Sequence, residues 1–138
     1  MAAEKWTAAA DRGTVLTTEL NALGNGAISA PGSALPNQTN MDRYFVAELK
    51  ATWAATPTDG ELAELYAVPD GGGGQETRDN NHFCGSFKVE NNAGAQILYT
   101  EPFLLPPFST KFTLLNRAGT AMTATGHTVK IYSFNRTN

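Results

Sequence analysis

Cys84 and His82, in the run His82-Phe83-Cys84-Gly85-Ser86-Phe87, are the residues whose types could do covalent chemistry, a thiolate nucleophile beside an imidazole base. Their spacing argues against it. The run reads as a strand on which positions 82 and 84 share a face, and same-face neighbours on one strand stand about 6.5–7 Å apart, too far for a direct hydrogen bond. Cys84 therefore reads as a small buried core residue, and as the single cysteine it has no internal disulfide partner. His127, the other histidine, follows Gly126 and reads as a turn residue. A Cys84/His82/His127 metal site would want a fourth ligand that the spacing does not offer.

Other groups are equally unconvincing as sites. Glu61, Glu64, Asp70, Glu76 and Asp79 gather around one loop, but the alternating Asp/Asn order of a calcium loop is absent, and Asp79-Asn80-Asn81 suggests weak ion binding at most. The four glycines at 71–74 are followed by Gln75-Glu76-Thr77, where a phosphate-binding loop needs Gly-Lys-Ser/Thr entering a helix. Gly24-Asn25-Gly26 lacks the third glycine of a dinucleotide fingerprint. Glycoside hydrolysis would need two carboxylates flanking an aromatic groove. Trp6, Trp53 and the four tyrosines could line one, yet Trp53 ends an apolar strand face and no acid pair can be named. The expectation is a non-enzyme with no catalytic, cofactor-binding or metal-binding residue.

The elements that would position any site read mostly as strands. Phe45, Ala47, Leu49, Ala51 and Trp53 alternate with Tyr44, Val46, Glu48, Lys50 and Thr52, the best strand pattern in the chain. Residues 61–68 end at Pro69 and read as a strand in preference to a short helix. Further strands are expected at 82–90, 95–101, 111–116 and 128–134, with a short one over 120–125. Residues 56–60 form a turn, Asn91-Asn92-Ala93-Gly94 reads as hairpin chemistry, and 70–81 as a flexible exposed loop. The half-buried strands of 105–119 and 126–134 form a pair joined by a glycine-containing connection. Seven or eight short strands without an internal repeat predict an all-β fold, a jelly-roll-like antiparallel β-sandwich.

Residues 1–40 differ in texture, being rich in Ala, Thr, Asn, Gly, Ser and Pro. One ordered element is expected at 14–23, where the pattern suits either strand or helix. Residues 27–40, with Pro31, Gly32 and Pro36, read as a loop or extended arm. The expected organisation is an N-terminal arm and loop over 1–40 and a β-sandwich domain over 41–138.

With 138 residues, 41% of them hydrophobic, the chain has a single-domain length and core residues enough to need no disulfide or metal. Only 17% are charged, and neutral surface is available for protein contacts. The net charge of −3 and the scattered Lys and Arg exclude nucleic acid as a direct partner. The N-terminus shows no secretory signal and no stretch approaches a membrane span, so Asn37-Gln38-Thr39 and Asn135-Arg136-Thr137 are chance matches to a glycosylation sequon.

Five runs carry a family resemblance: Leu65-Tyr66-Ala67-Val68-Pro69-Asp70-Gly71, Gly85-Ser86-Phe87, Leu104-Leu105-Pro106-Pro107-Phe108-Ser109-Thr110-Lys111-Phe112, Leu115-Asn116-Arg117-Ala118-Gly119 and Gly126-His127-Thr128-Val129-Lys130. Over roughly residues 42–134 the chain resembles small virion proteins of tailed bacteriophages. The resemblance implies a capsid decoration (cement) protein with a jelly-roll-like fold, made in the host cytoplasm and sited on the capsid surface. Its implied partners are the major capsid protein and further copies of itself, as a dimer or trimer. A tail or fibre component is the second structural reading. A carbohydrate-binding module is the alternative of a different class, expected to expose coplanar aromatics such as Trp6, Tyr44 or Tyr66.

Overall fold

The computed structural model describes residues 5–37, 42–58, 62–69, 82–105 and 109–137. Their strands are β1 (Lys5–Trp6), β2 (Ala10–Leu16), β3 (Leu35–Pro36), β4 (Tyr44–Ala51), β5 (Leu62–Pro69), β6 (His82–Lys88), β7 (Gln96–Tyr99), β8 (Phe103–Leu104), β9 (Ser109–Arg117), β10 (Thr128–Phe134) and β11 (Arg136–Thr137). The first sheet has the order β2-β10-β4-β7, with β8 also on β4; the second has the order β3-β9-β5-β6. Every pairing is antiparallel. Each sheet interleaves early and late strands, the double Greek key of a jelly roll, as the sequence predicts.

Alternation builds the core. Phe45, Ala47, Leu49 and Ala51 of β4 and Val129 and Ile131 of β10 point inward from the first sheet. They meet Leu65 of β5, Phe87 of β6 and Phe112 and Leu114 of β9, all buried. Trp53 lies just beyond β4 and is buried, held by a single bridge to Met122. That bridge is all the described strand structure in the stretch expected to form a strand over 120–125.

Several expectations are corrected. The strands read at 105–119 and 126–134 do not pair with each other: β9 lies between β3 and β5, and β10 between β2 and β4. Both carry an apolar inner face, so the connection crosses from one sheet to the other and sets those faces against the same core. Residues 91–94 likewise make a corner between sheets, because β6 and β7 belong to different sheets. The Gln96 side chain holds that corner, accepting from the Glu90 N–H and donating to the Glu90 and Asn92 carbonyls at 2.8–2.9 Å.

The expected arm is part of the sandwich. β2 is the edge strand beside β10, β3 pairs with β9, and Val15, Leu16, Leu20, Leu23 and Leu35 are core residues. The open choice at 14–23 resolves into both forms, strand to Leu16 and then a 3-10 turn at Thr18–Leu20. The glycine-rich loop expected at 70–81 lies outside the described residues, as does part of the turn at 56–60.

Candidate functional surface

The residues singled out for chemistry do not come together. Cys84 in β6 is half-buried, and its thiol contacts the backbone carbonyl of His82 at 3.6 Å, while the His82 side chain is exposed. Burial pushes the thiol up to about 12, so at neutral pH it is not a thiolate. His127 lies in the connection just before β10 and is buried: its Nδ1 accepts from the Thr52 N–H at 3.3 Å and its Nε2 lies 2.8 Å from the Thr123 carbonyl. Both ring nitrogens thus serve the backbone. Glu64 accepts from the Tyr66 hydroxyl at 3.2 Å and lies 3.8 Å from Arg117. Glu61, Asp70, Glu76 and Asp79 lie outside the described residues, among which no three His, Cys, Asp or Glu side chains form a metal cluster. Neither sequon is open: Asn37 is buried against Asp42, and Asn135 is bonded to Asp42 and to the Arg43 N–H.

What the fold does assemble is an outer face on the first sheet that is apolar and aromatic at one end and carries Glu48, Lys50 and Lys130 toward the other. Registers Phe134↔Tyr44, Tyr132↔Val46 and Lys130↔Glu48 set the outward residues of β10 beside those of β4. Tyr99↔Glu48 and Ile97↔Lys50 add β7, and Leu104↔Tyr44 adds β8. An antiparallel sheet with one face on the core commonly turns polar residues outward. Here four of the five exposed large apolar side chains among the described residues, Trp6, Ile97, Tyr99 and Leu104, belong to this face or its end, each 57–59% exposed. The fifth, Phe83, stands on β6 at the edge of the second sheet.

The aromatic end of the face is a built structure. The β1–β11 ribbon pairs Trp6 with Arg136 and swings the indole over the strand ends. Trp6 meets Tyr44 edge-on at 5.2 Å and Phe134 at 5.3 Å, while Tyr44 and Phe134 stack 19° from parallel at 5.8 Å. The Arg136 guanidinium lies 5.7 Å from the Trp6 ring centre and that of Arg43 6.0 Å from Tyr44. Trp6, Tyr44, Pro102, Phe103, Leu104 and Phe134 line a groove of about 530 Å³. Among these described lining residues the Tyr44 hydroxyl and the indole N–H are the only polar side-chain atoms. Trp6 and Tyr44 stand 77° apart, and Tyr66 packs on Phe83 in the second sheet, so the three aromatics anticipated as a sugar platform are not coplanar.

Beneath this end lies a buried carboxylate. Asp42 pairs with Arg12 at 2.8 Å and accepts from Ser133 at 2.8 Å and Asn135 at 2.9 Å, while Arg12 also donates to Ser133 at 2.7 Å. Burial alone would raise the Asp42 carboxyl; the Ser133 and Asn135 hydrogen bonds and the Arg12 charge outweigh it and hold the group below the usual carboxylate range. At the other end, Glu48 is only 7% exposed and accepts from the Tyr99 hydroxyl at 2.9 Å. That hydrogen bond, with the carboxylate's charge, raises the Tyr99 hydroxyl above its ordinary value.

Sequence reasoning placed Tyr44 and Val46 on the mixed face of their strand but missed the surface they help form. Its signal was present: at the aromatic end of β4 and β10 both alternating phases are apolar, as in Tyr44-Phe45-Val46-Ala47. Among the described residues no helix is long and apolar enough to cross a membrane.

No family model matches the chain. No curated protein matches it by sequence. Among solved structures it is similar to the SPBc2 prophage-derived protein YomS, with 14% identity, a TM-score of 0.41, and coverage of 98% of this chain and 97% of that one. It is also similar to the carbohydrate-binding module CBM6cm-2 from Cellvibrio mixtus lichenase 5A, solved with cellotriose, with 13% identity, a TM-score of 0.40, and coverage of 94% of this chain and 100% of that one.

Proposed function

We propose that this chain is a non-enzymatic structural protein of a tailed-bacteriophage virion, a decoration or cement protein that stabilises the head shell by bridging major capsid protein subunits. It is made in the host cytoplasm and resides on the capsid surface. The observation that carries the reading is the outer face of the first sheet, which presents apolar and aromatic side chains where a solvated sheet would be polar. Such a face is suited to assembly with protein. Among its described lining residues the groove at its end has few polar side-chain atoms with which to bind sugar hydroxyls, which favours protein over glycan as the ligand. Jelly rolls recur in viral capsid proteins and in lectins, so the fold is compatible with the reading without deciding it, and the five motif runs supply the virion context.

Cryo-electron microscopy of the particle that carries the protein tests the reading. Density on the head shell, contacting more than one capsid subunit, is expected. Density confined to the tail would replace the cement role with a tail or fibre role, and absence from the particle would overturn both.

A further inference from the structure

We propose that the groove at the aromatic end of the first sheet binds an extended, proline-rich segment of a partner protein, held in the polyproline II conformation with acidic residues beside the prolines. The inference rests on the reading of this face as a protein-binding surface and names the kind of segment it takes.

Hydrogen-bonding chemistry is the first argument. The groove of about 530 Å³ has the size of an ordinary ligand site. Of its described lining side chains only two carry a polar atom: the Trp6 indole N–H, which donates and never accepts, and the Tyr44 hydroxyl. The guanidiniums that lie against two of the rings, those of Arg43 and Arg136, also donate only. A ligand that fits must therefore bring acceptors and apolar surface, with few donors of its own. An ordinary strand brings an N–H with each carbonyl, and a sugar hydroxyl brings a donor with each acceptor. Both would turn donors toward apolar rings, where they stay unsatisfied. Proline has no N–H, and polyproline II makes no internal hydrogen bonds, so its carbonyls are free to accept.

Shape and charge are the second. Proline-rich segments dock in aromatic-lined grooves because their conformation is set beforehand and little entropy is lost on binding. The groove is set beforehand too. Trp6 stands edge-on to Tyr44 at 5.2 Å and to Phe134 at 5.3 Å, carried there by the β1–β11 ribbon. It nevertheless stays 59% exposed, so its ring is available as a wall. Leu104, the register partner of Tyr44 on β8 and equally exposed, supplies more apolar wall. Arg43 and Arg136 bring positive charge to the Trp6 and Tyr44 side, while Asp42 is buried and already paired with Arg12 at 2.8 Å. The exposed carboxylate of Glu101 adjoins Pro102 in the chain, so the segment's acidic residues belong on the Trp6 and Tyr44 side, in charge-assisted contact with the guanidiniums. Lysines in their place would be repelled.

The test is fluorescence anisotropy of a labelled decaproline peptide with glutamates at both ends, titrated with the purified protein. Saturable binding in the micromolar range is expected. Leu104→Glu, which sets a carboxylate in the groove wall, is expected to weaken binding at least about tenfold. Trp6→Phe keeps an aromatic ring and removes the N–H, and is expected to weaken it about two- to tenfold. Ile97→Glu, on the same face outside the groove, is expected to leave the affinity unchanged, and all three variants to keep the wild-type far-ultraviolet circular dichroism. No saturable binding, equal affinity for a glycine–serine peptide of the same length and ends, or an affinity that survives Leu104→Glu would each overturn the proposal. The peptide is read on the isolated protein, so its failure leaves the capsid reading to the particle density. Peptide binding by a protein absent from the head shell would keep this inference and remove that reading.

Discussion

Removing the Asn116 side chain should cost this domain about a third of a typical folding free energy. Asn116 is fully buried near the end of β9. Its side-chain N–H groups donate to the Leu23 and Thr120 carbonyls, both at 2.9 Å. Its carbonyl accepts from the Ala118 N–H at 3.0 Å and, more weakly, from the Trp53 indole at 3.4 Å. One amide thus joins the chain after the 3-10 turn, the turn after β9 and the extension of β4. Asn116→Ala leaves the Thr120 carbonyl and the Ala118 and Trp53 N–H groups without these bonds, while the Leu23 carbonyl keeps the Met122 N–H at 3.0 Å. At about 1 kcal/mol each, the low end for buried unsatisfied groups, the loss is about 3 kcal/mol of a total of roughly 5–15 kcal/mol. For a domain of this size that corresponds to about 9–12 °C in Tm.

The assay is urea unfolding followed by tryptophan fluorescence, with the midpoint read at constant slope. Asn116→Asp adds a test of mechanism. It keeps both acceptor contacts but turns a carboxylate toward two carbonyl oxygens, which raises the folded-state pKa of that carboxyl above its unfolded value of about 4. The folded state then holds the proton more tightly, so the variant's deficit against wild type is smallest near pH 4 and grows as pH rises through the folded pKa. A deficit below about 1.5 kcal/mol for the alanine variant, or one for the aspartate variant that is the same at pH 4 and pH 7, would refute this account of Asn116 as a polar hub.

Asp42, with its depressed carboxyl, should contribute stability that is present above the unfolded value of about 3.9 and is lost as pH falls through the lower folded value. Asp42→Asn should therefore be less stable than wild type at pH 7 and approach it at the acid end, checked by urea melts over pH 2–7. The Cys84 thiol, pushed up to about 12 from 9.0, should carry a thiolate population about a thousandfold below that of an unperturbed cysteine at pH 7.5, and react with iodoacetamide that much more slowly in the native state than in urea. Gly32→Ala should cost about 3 kcal/mol in a denaturant melt, because a Cβ there would overlap the Val15 carbonyl oxygen and crowd the Leu16 side chain. An arm lying apart from the sandwich would tolerate that change.

Alternation made β4 legible, since Phe45 through Ala51 face the core at every second residue. The strand of β5, Leu62–Pro69, ends at the proline as read, and Trp53 is the core residue its place in the pattern suggested. β2 was hidden for a physical reason. Its register against β10 shifts twice, Gly13 sits at φ 105°, and its polar start Ala10-Asp11-Arg12-Gly13 yields two adjacent buried residues, Val15 and Leu16, instead of an alternating row. A strand so irregular is identified by its neighbours, which one-dimensional pattern does not contain. The same limit applied to sheet assignment: the turn chemistry at 91–94 and 118–127 is real, but a turn residue does not say whether the next strand returns to the same sheet or crosses the core. The Leu115-Asn116-Arg117-Ala118-Gly119 run entered only as part of the resemblance, whereas the convergence of Leu23, Trp53 and Thr120 on Asn116 depends on contacts that one-dimensional pattern does not contain.

The outer face and the Asp42 network form one device. Asp42 lies two residues before Tyr44 and Ser133 one before Phe134, so the carboxylate that binds Ser133 also fixes the spacing of the two strand ends whose rings stack above. Asn135, held by Asp42, accepts from the Arg43 N–H and passes its own carbonyl to Thr7, which places Trp6 over those rings. A buried, fully bonded polar cluster contributes little net stability compared with an apolar replacement, but it admits few alternative arrangements. Its effect here is to hold Trp6, Tyr44 and Phe134 in position, so that the proposed association would not have to order them. Each rotamer-rich side chain that need not be immobilised on binding spares about 0.5–1.5 kcal/mol. On the proposed function the polar cluster and the apolar surface are coupled: loosening Asp42 is expected to weaken the proposed assembly although Asp42 itself is buried.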